Sequence, residues 1–142
     1  LLIDRLFMFI EGLDSKQQRQ EYILKNLSDF KKLPFVIEAN LSANKKIIAN
    51  KNTAQIDFKK PLFPLKLRKW KKGDKFVPLG MNSLKKISDF LINQKIPQFE
   101  KENVWLLLNK NEVVWVVGQR IDERYKINAQ SKKILKLVLN KD

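Results

Sequence analysis

The chain contains no cysteine and no histidine in 142 residues. Their absence removes thiol nucleophiles, imidazole bases, disulfides and any zinc site built on Cys or His, and leaves only carboxylate, Lys, Ser or Tyr chemistry. Glycine is scarce too: Gly12, Gly73, Gly80 and Gly118 make up the full set, and neither a P-loop nor a GxGxxG phosphate cradle can be assembled from them. No apolar run approaches the roughly 20 residues of a membrane-spanning helix. The apolar opening, Leu1 to Ile10, is interrupted by Asp4 and Arg5, unlike a secretory signal. The sequence therefore reads as cytoplasmic and without a membrane partner. Its start, Leu1 followed at once by a strand-like pattern, reads as a cut from something longer.

Two things are plentiful. Hydrophobic residues make up 44% of the chain, enough to bury the core of one compact domain or two small ones. Positive charge is the other, with 29 basic against 15 acidic residues and a net charge of +14. A charge of that size points to a polyanionic partner. Compositional bias is the competing source, since 24 of the cations are Lys and 5 are Arg. Distribution helps to separate the two: residues 1–58 hold 9 basic and 7 acidic groups, residues 59–142 hold 20 and 8. The excess sits in the second part.

Read along the chain, Leu1 to Ile10 predicts a strand, and Gly12, Asp14 and Ser15 then give turn and helix-start signals. A helix over Lys16 to Asn26 follows from these, on a thin apolar stripe of Tyr22, Ile23 and Leu27, with a strand over Glu21 to Leu27 as the alternative. Strands are expected at Pro34 to Leu41, Lys46 to Ala49, Thr53 to Phe58 and Leu62 to Leu67, divided by Asn, Ser and Pro. Pro61 and Pro64, with the shift toward lysine, mark a boundary between a β-rich connecting region, 1–60, and a second domain, 61–142. Trp70 to Met81 reads as a long structured loop. Ser83 is a good N-cap for a helix over about 83–94, with Leu84, Ile87, Phe90 and Leu91 at helical spacing and Pro97 beyond its end. Asn103 to Leu108 and Val113 to Val117 predict a hairpin, and Ile134 to Leu139 a closing strand. The fold class is α+β: β-rich, a mainly antiparallel sheet or sandwich with one clear helix.

Eight cations, Lys59, Lys60, Lys66, Arg68, Lys69, Lys71, Lys72 and Lys75, fall within 17 residues and face Asp74 alone. Such a concentration can track a phosphate backbone, and Lys85 and Lys86, in the first turn after Ser83, add charge beside free helix amides. A solvated basic face is the bland alternative. Trp70 lies inside the cluster, where it can stack on an unpaired base or pack into the core. Trp105 and Trp115, set in apolar strands, read as core. Gly73 and Asp74 form a turn pair, and Asp74 lacks the neighbouring oxygen ligands that a metal site needs. Arg120 and Arg124 flank Asp122 and Glu123, placed for either phosphate or local ion pairs.

Three separated blocks, RKWKKGDKFVPLGM from Arg68, KKISDFLINQKIP from Lys85 and VVWVVGQRIDERYKI from Val113, stand in an order that resembles the C-terminal domain of bacterial tRNA(Ile)-lysidine synthases. The resemblance covers about Leu62 to Leu139. It implies a parent enzyme whose N-terminal domain, carrying an SGGxDS loop, uses ATP with Mg to adenylate the wobble cytidine of an isoleucine tRNA with a CAU anticodon. Lysine then displaces AMP to give lysidine, and codon reading switches from AUG to AUA. No catalytic, cofactor or metal residue carries over to this chain. The C-terminal domain is implied to grip the tRNA body and acceptor stem. RNA contact is expected from Arg68, Lys69, Trp70, Lys71, Lys72, Lys75, Lys85, Lys86, Arg120 and Arg124, with Gly73, Asp74 and Gly80 shaping turns and Met81 completing the motif. The chain departs from the family in two places: Lys75 stands where Arg is common, losing bidentate phosphate geometry, and Asn82, Ser83 and Leu84 replace a stretch with a common glycine. The implied partners are tRNA, the parent's own catalytic domain and, in a homodimer, a second copy. The alternative reading is a structural or dimerisation module, or a free-standing basic RNA-binding domain.

Overall fold

A computed structural model describes residues 21–59 and 62–140; the strand expected over Leu1 to Ile10 and the start of the helix expected at Lys16 lie outside them. In chain order the strands are β1 (Glu21–Leu24), β2 (Val36–Ser42), β3 (Thr53–Asp57), β4 (Leu65–Lys69), β5 (Lys75–Phe76), β6 (Lys85–Lys86), β7 (Trp105–Asn109), β8 (Glu112–Val116), β9 (Arg120–Ile121) and β10 (Ile134–Asn140). Two helices, α1 (Ile87–Asn93) and α2 (Gln98–Lys101), lie between β6 and β7. The strands form a five-stranded sheet in the order β1-β4-β7-β8-β9, a three-stranded sheet in the order β2-β10-β3 and the small β5-β6 pair. All of these pairings are antiparallel, as the α+β reading expects.

The central strands of the larger sheet, β7 and β8, are buried on both faces. Side chains alternate along a strand, so Leu107 enters one core with Leu65 and Leu67, while Leu106 and Leu108 enter the other. The first core is closed by Ile37, Ala54, Ile56, Leu135 and Leu137 of the smaller sheet. The second is closed by Ile87, Phe90 and Leu91 of α1 and by Phe76. Burial on two sides explains why β7 and β8 are continuous apolar runs rather than alternating ones. Trp115 is fully buried, as expected of it.

Several local expectations are corrected. Glu21 to Leu24 is a strand and not part of a helix, because it pairs with β4 over its whole length; the alternative strand, expected to run to Leu27, ends at Leu24, and Leu27 opens a short 3-10 helix. Lys46 to Ala49 is not a strand: the side chain of Gln55 takes the backbone there, its amide donating to the Lys46 carbonyl at 2.6 Å and its oxygen accepting from the Ile48 amide at 2.9 Å. The helix starts at Ile87 and not after Ser83. Lys85 and Lys86 are drawn into β6 opposite β5, and the Ile87 amide donates to the Asp74 carbonyl at 2.9 Å. Leu84, counted on the apolar stripe, is 59% exposed. Both sheets draw strands from either side of residue 60, since β1 pairs with β4 and β10 pairs with β2 and β3.

Candidate nucleic-acid interface

The loop after β4 is shaped by one carboxylate. Arg68 donates from Nη1 to Asp74 Oδ2 at 2.9 Å and from Nη2 to Oδ1 at 3.0 Å, a bidentate pair. The Lys71 amide donates to Asp74 Oδ2 at 2.8 Å and the Asp74 amide to the Lys71 carbonyl at 3.1 Å. Gly73 closes this turn at φ +99°, a backbone conformation that a side chain disfavours. Burial alone pushes the Asp74 carboxyl up, but the hydrogen bonds and charge of Arg68, with the Lys71 amide, outweigh it and hold the group below the usual carboxylate range. Lys71 and Lys72 are left exposed at the tip.

The next segment brings more cations together. In the β5-β6 ladder Lys75 is the cross-strand partner of Lys86, and Phe76 that of Lys85. Phe76 is fully buried against the Phe90 ring, edge-on at 5.1 Å, so the two-residue strand is held by its apolar half. Among the described residues none of Lys69, Lys71, Lys72, Lys75, Lys85, Lys86 or Arg120 forms a salt bridge, whereas Lys59 pairs with Asp57 at 3.5 Å and Lys66 with Glu21 at 3.7 Å. Lys60 lies outside the described residues.

A second brace sits at Asp122. This carboxylate is fully buried and is satisfied by the Val77 amide at 2.9 Å, the Arg124 amide at 2.8 Å and Arg124 Nε and Nη2 at 2.9 and 2.8 Å. Arg124 also donates from Nη1 to Glu112 at 2.7 Å, so both of its faces are taken. Next to it the Gly80 amide donates to Glu123 at 2.8 Å. The Lys126 ammonium first, and then the Gly80 amide, hold the Glu123 carboxyl below its ordinary value. Burial, and then Glu112, raise the Tyr125 hydroxyl. Segment 76–81 is thereby tied at both ends. Arg120 is engaged differently, its guanidinium lying 5.2 Å from the Phe90 ring centroid.

The expected site residues thus divide by environment. Arg68 and Arg124 are held by carboxylates. Trp70 packs on the α1 core and donates its indole N–H to the Lys101 carbonyl at 2.6 Å. Lys69 lies on the opposite face of β4 from Arg68, with its ammonium 5.7 Å from the Trp105 ring centroid. Lys71, Lys72, Lys75 and Lys86 share one braced turn and ladder, Lys85 lies on the Phe76 face of that ladder, and Gly80 turns at φ +92°. The brace at Asp122 was not anticipated as a role. Its signal was the packing of two acids between two arginines in RIDER, which predicts local pairing without saying which backbone amide the buried carboxylate will also hold.

A family model for the TilS substrate C-terminal domain matches residues 65–138. The tRNA(Ile)-lysidine synthase of Parabacteroides distasonis is 38% identical over 144 residues, covering 95% of this chain and 31% of its own length. That of Clostridium perfringens is 32% identical over 142 residues, covering 90% and 30%. The chain therefore spans about a third of the length of the relatives it matches. A solved structure described as the crystal structure of TILS C-terminal domain superposes with a TM-score of 0.66 at 19% identity, over 83% of this chain and 95% of that one; at that identity it supports the strand-rich α+β fold. Sequence, fold and the ordered motifs from Arg68 to Ile127 agree, and the chain belongs to the TilS substrate C-terminal domain family.

Proposed function

We propose that this chain docks the body of a tRNA through the backbone phosphates of a duplex stem, with Lys71, Lys72, Lys75 and Lys86 as the contacting cations and Lys69, Lys85 and Arg120 at the flanks. One observation carries the reading: Lys75 and Lys86 are direct cross-strand partners with no carboxylate within salt-bridge reach among the described residues. Like charges opposite each other destabilise a ladder, and a polyanion that bridges them removes that cost. Arg68, Asp74, Asp122 and Arg124 enter as braces that fix the loop before RNA arrives, which lowers the entropy lost on binding. Shape and backbone, rather than base edges, are what such a lysine set reads on duplex RNA.

In the parent the substrate is then the isoleucine tRNA with a CAU anticodon, and the acceptor stem is the duplex held. Lysine attachment to the wobble cytidine belongs to the catalytic domain, with its ATP, Mg and lysine, in the cytoplasm. Replacing Lys71, Lys72, Lys75 and Lys86 together by Ala is expected to weaken tRNA binding at least about tenfold at moderate salt. A control that removes the same charge elsewhere, at the exposed Lys25, Lys31, Lys132 and Lys133, should change it far less. Equal losses from the two variants, read by fluorescence anisotropy, would reduce the binding to bulk charge.

A further inference from the structure

Between α2 and the end of β10 lies an open groove of about 710 Å³ with an aromatic wall. Phe35 and Trp105 meet there with ring centroids 5.6 Å apart. Phe99 lines the same groove from α2 and is 77% exposed. Gln119 and Asn140 also line it, as does Asn103, whose Nδ2 already donates to the Phe99 carbonyl at 2.9 Å, and Glu100 is the one carboxylate among its lining residues. Lys69 is the cross-strand partner of Trp105. Its ammonium stands 5.7 Å from that ring and donates to Asn103 Oδ1 at 3.1 Å. Lys101 follows Glu100 on α2.

A flat apolar ring, amides at its border and a cation beside it match the three faces of one nucleotide: the base plane, the base edge and the phosphate. A purely apolar protein partner fits less well, because covering the groove would strip water from the Lys69 ammonium without supplying an anion. We propose that this groove takes a single unpaired nucleotide of the docked RNA, its base stacked on Phe99 and its phosphate at Lys69. The inference rests on the duplex-docking reading above, since Lys69 ends β4 and leads directly into the turn that bears Lys71 and Lys72.

The test compares a short blunt RNA hairpin with the same hairpin carrying a single-stranded 3′ extension, each titrated with this chain by fluorescence anisotropy. The extension is expected to tighten binding roughly five- to a hundredfold. Phe99→Ala should erase that gain and leave the blunt hairpin unaffected, and Phe99→Trp should restore it. The groove proposal is overturned if the blunt hairpin binds and the extension adds nothing, which is the result expected of a groove made for another domain of the parent. It is equally overturned if Phe99→Ala leaves the gain in place or weakens both RNAs alike. If neither hairpin binds, the docking reading fails and takes this one with it.

Discussion

Asp74 accepts three hydrogen bonds, two from Arg68 and one from the Lys71 amide, and is the single carboxylate within the lysine-rich loop. At the scale of the residue it acts as a clamp on the turn. Its native pKa is depressed, so its contribution to stability is full above the unfolded-state value of about 4 and is lost as pH falls through the lower native value. Asp74→Asn should therefore cost roughly 1–3 kcal/mol at neutral pH, and the gap to the unsubstituted chain should close as pH falls below about 4. Urea unfolding at a series of pH values reads both. The turn itself was legible, because Gly admits positive φ and Asp bonds nearby backbone amides, both of which favour a turn. The partner of Asp74 was not: Arg68 precedes it by six residues, and only the path of the intervening loop brings the guanidinium back. Trp70 can stack on a base or pack, and a Trp at a strand end more often packs; here it packs on the second core and its indole donates to the Lys101 carbonyl.

Elements were legible in proportion to how much of their pattern a sequence window contains. The β7-β8 hairpin, β3 and β10 each carry five to seven residues of apolar or β-branched pattern, enough for their type to be read. Strands β5 and β6 have two residues each, too few for any periodicity, and the pairing of β6 overrode a sound N-cap signal at Ser83. Stretch 46–49 failed in the opposite sense, since the apolar pair Ile47 and Ile48 suggested a strand while the Gln55 side chain claimed the backbone. The same short ladder yields a prediction at this scale. Lys86→Glu would turn the Lys75 pair from repulsive to attractive and raise the stability of the free chain by about 0.2–1 kcal/mol. RNA binding should weaken in the same variant. A stabilised variant that binds RNA as well as the unsubstituted chain would show that the ladder plays no part in docking.

For the whole molecule, β7 and β8 are buried on both faces, while β4, the strand leading into the basic loop, is anchored in the first core through Leu65 and Leu67 and carries Lys66 and Arg68 on its other face. The smaller sheet is closed only when β10 inserts between β2 and β3, so the early and late segments of the described chain hold each other. That arrangement was not legible, because the boundary at Pro61 and Pro64 marks a change in composition and says nothing about which strands pair across it. Net charge was legible and its location nearly so: the cations after residue 58 outnumber the acids by 12. The structure added the distinction between cations held by carboxylates and cations left without them. The central claim is that this second group holds backbone phosphates. The most direct measurement of it is the salt dependence of tRNA affinity for the chain and for its variant with Lys71, Lys72, Lys75 and Lys86 replaced by Ala. Docking through those lysines predicts a plot of log K against log salt that is shallower for the variant by roughly 0.7–0.9 for each phosphate it no longer neutralises. Parallel lines of equal slope would contradict it.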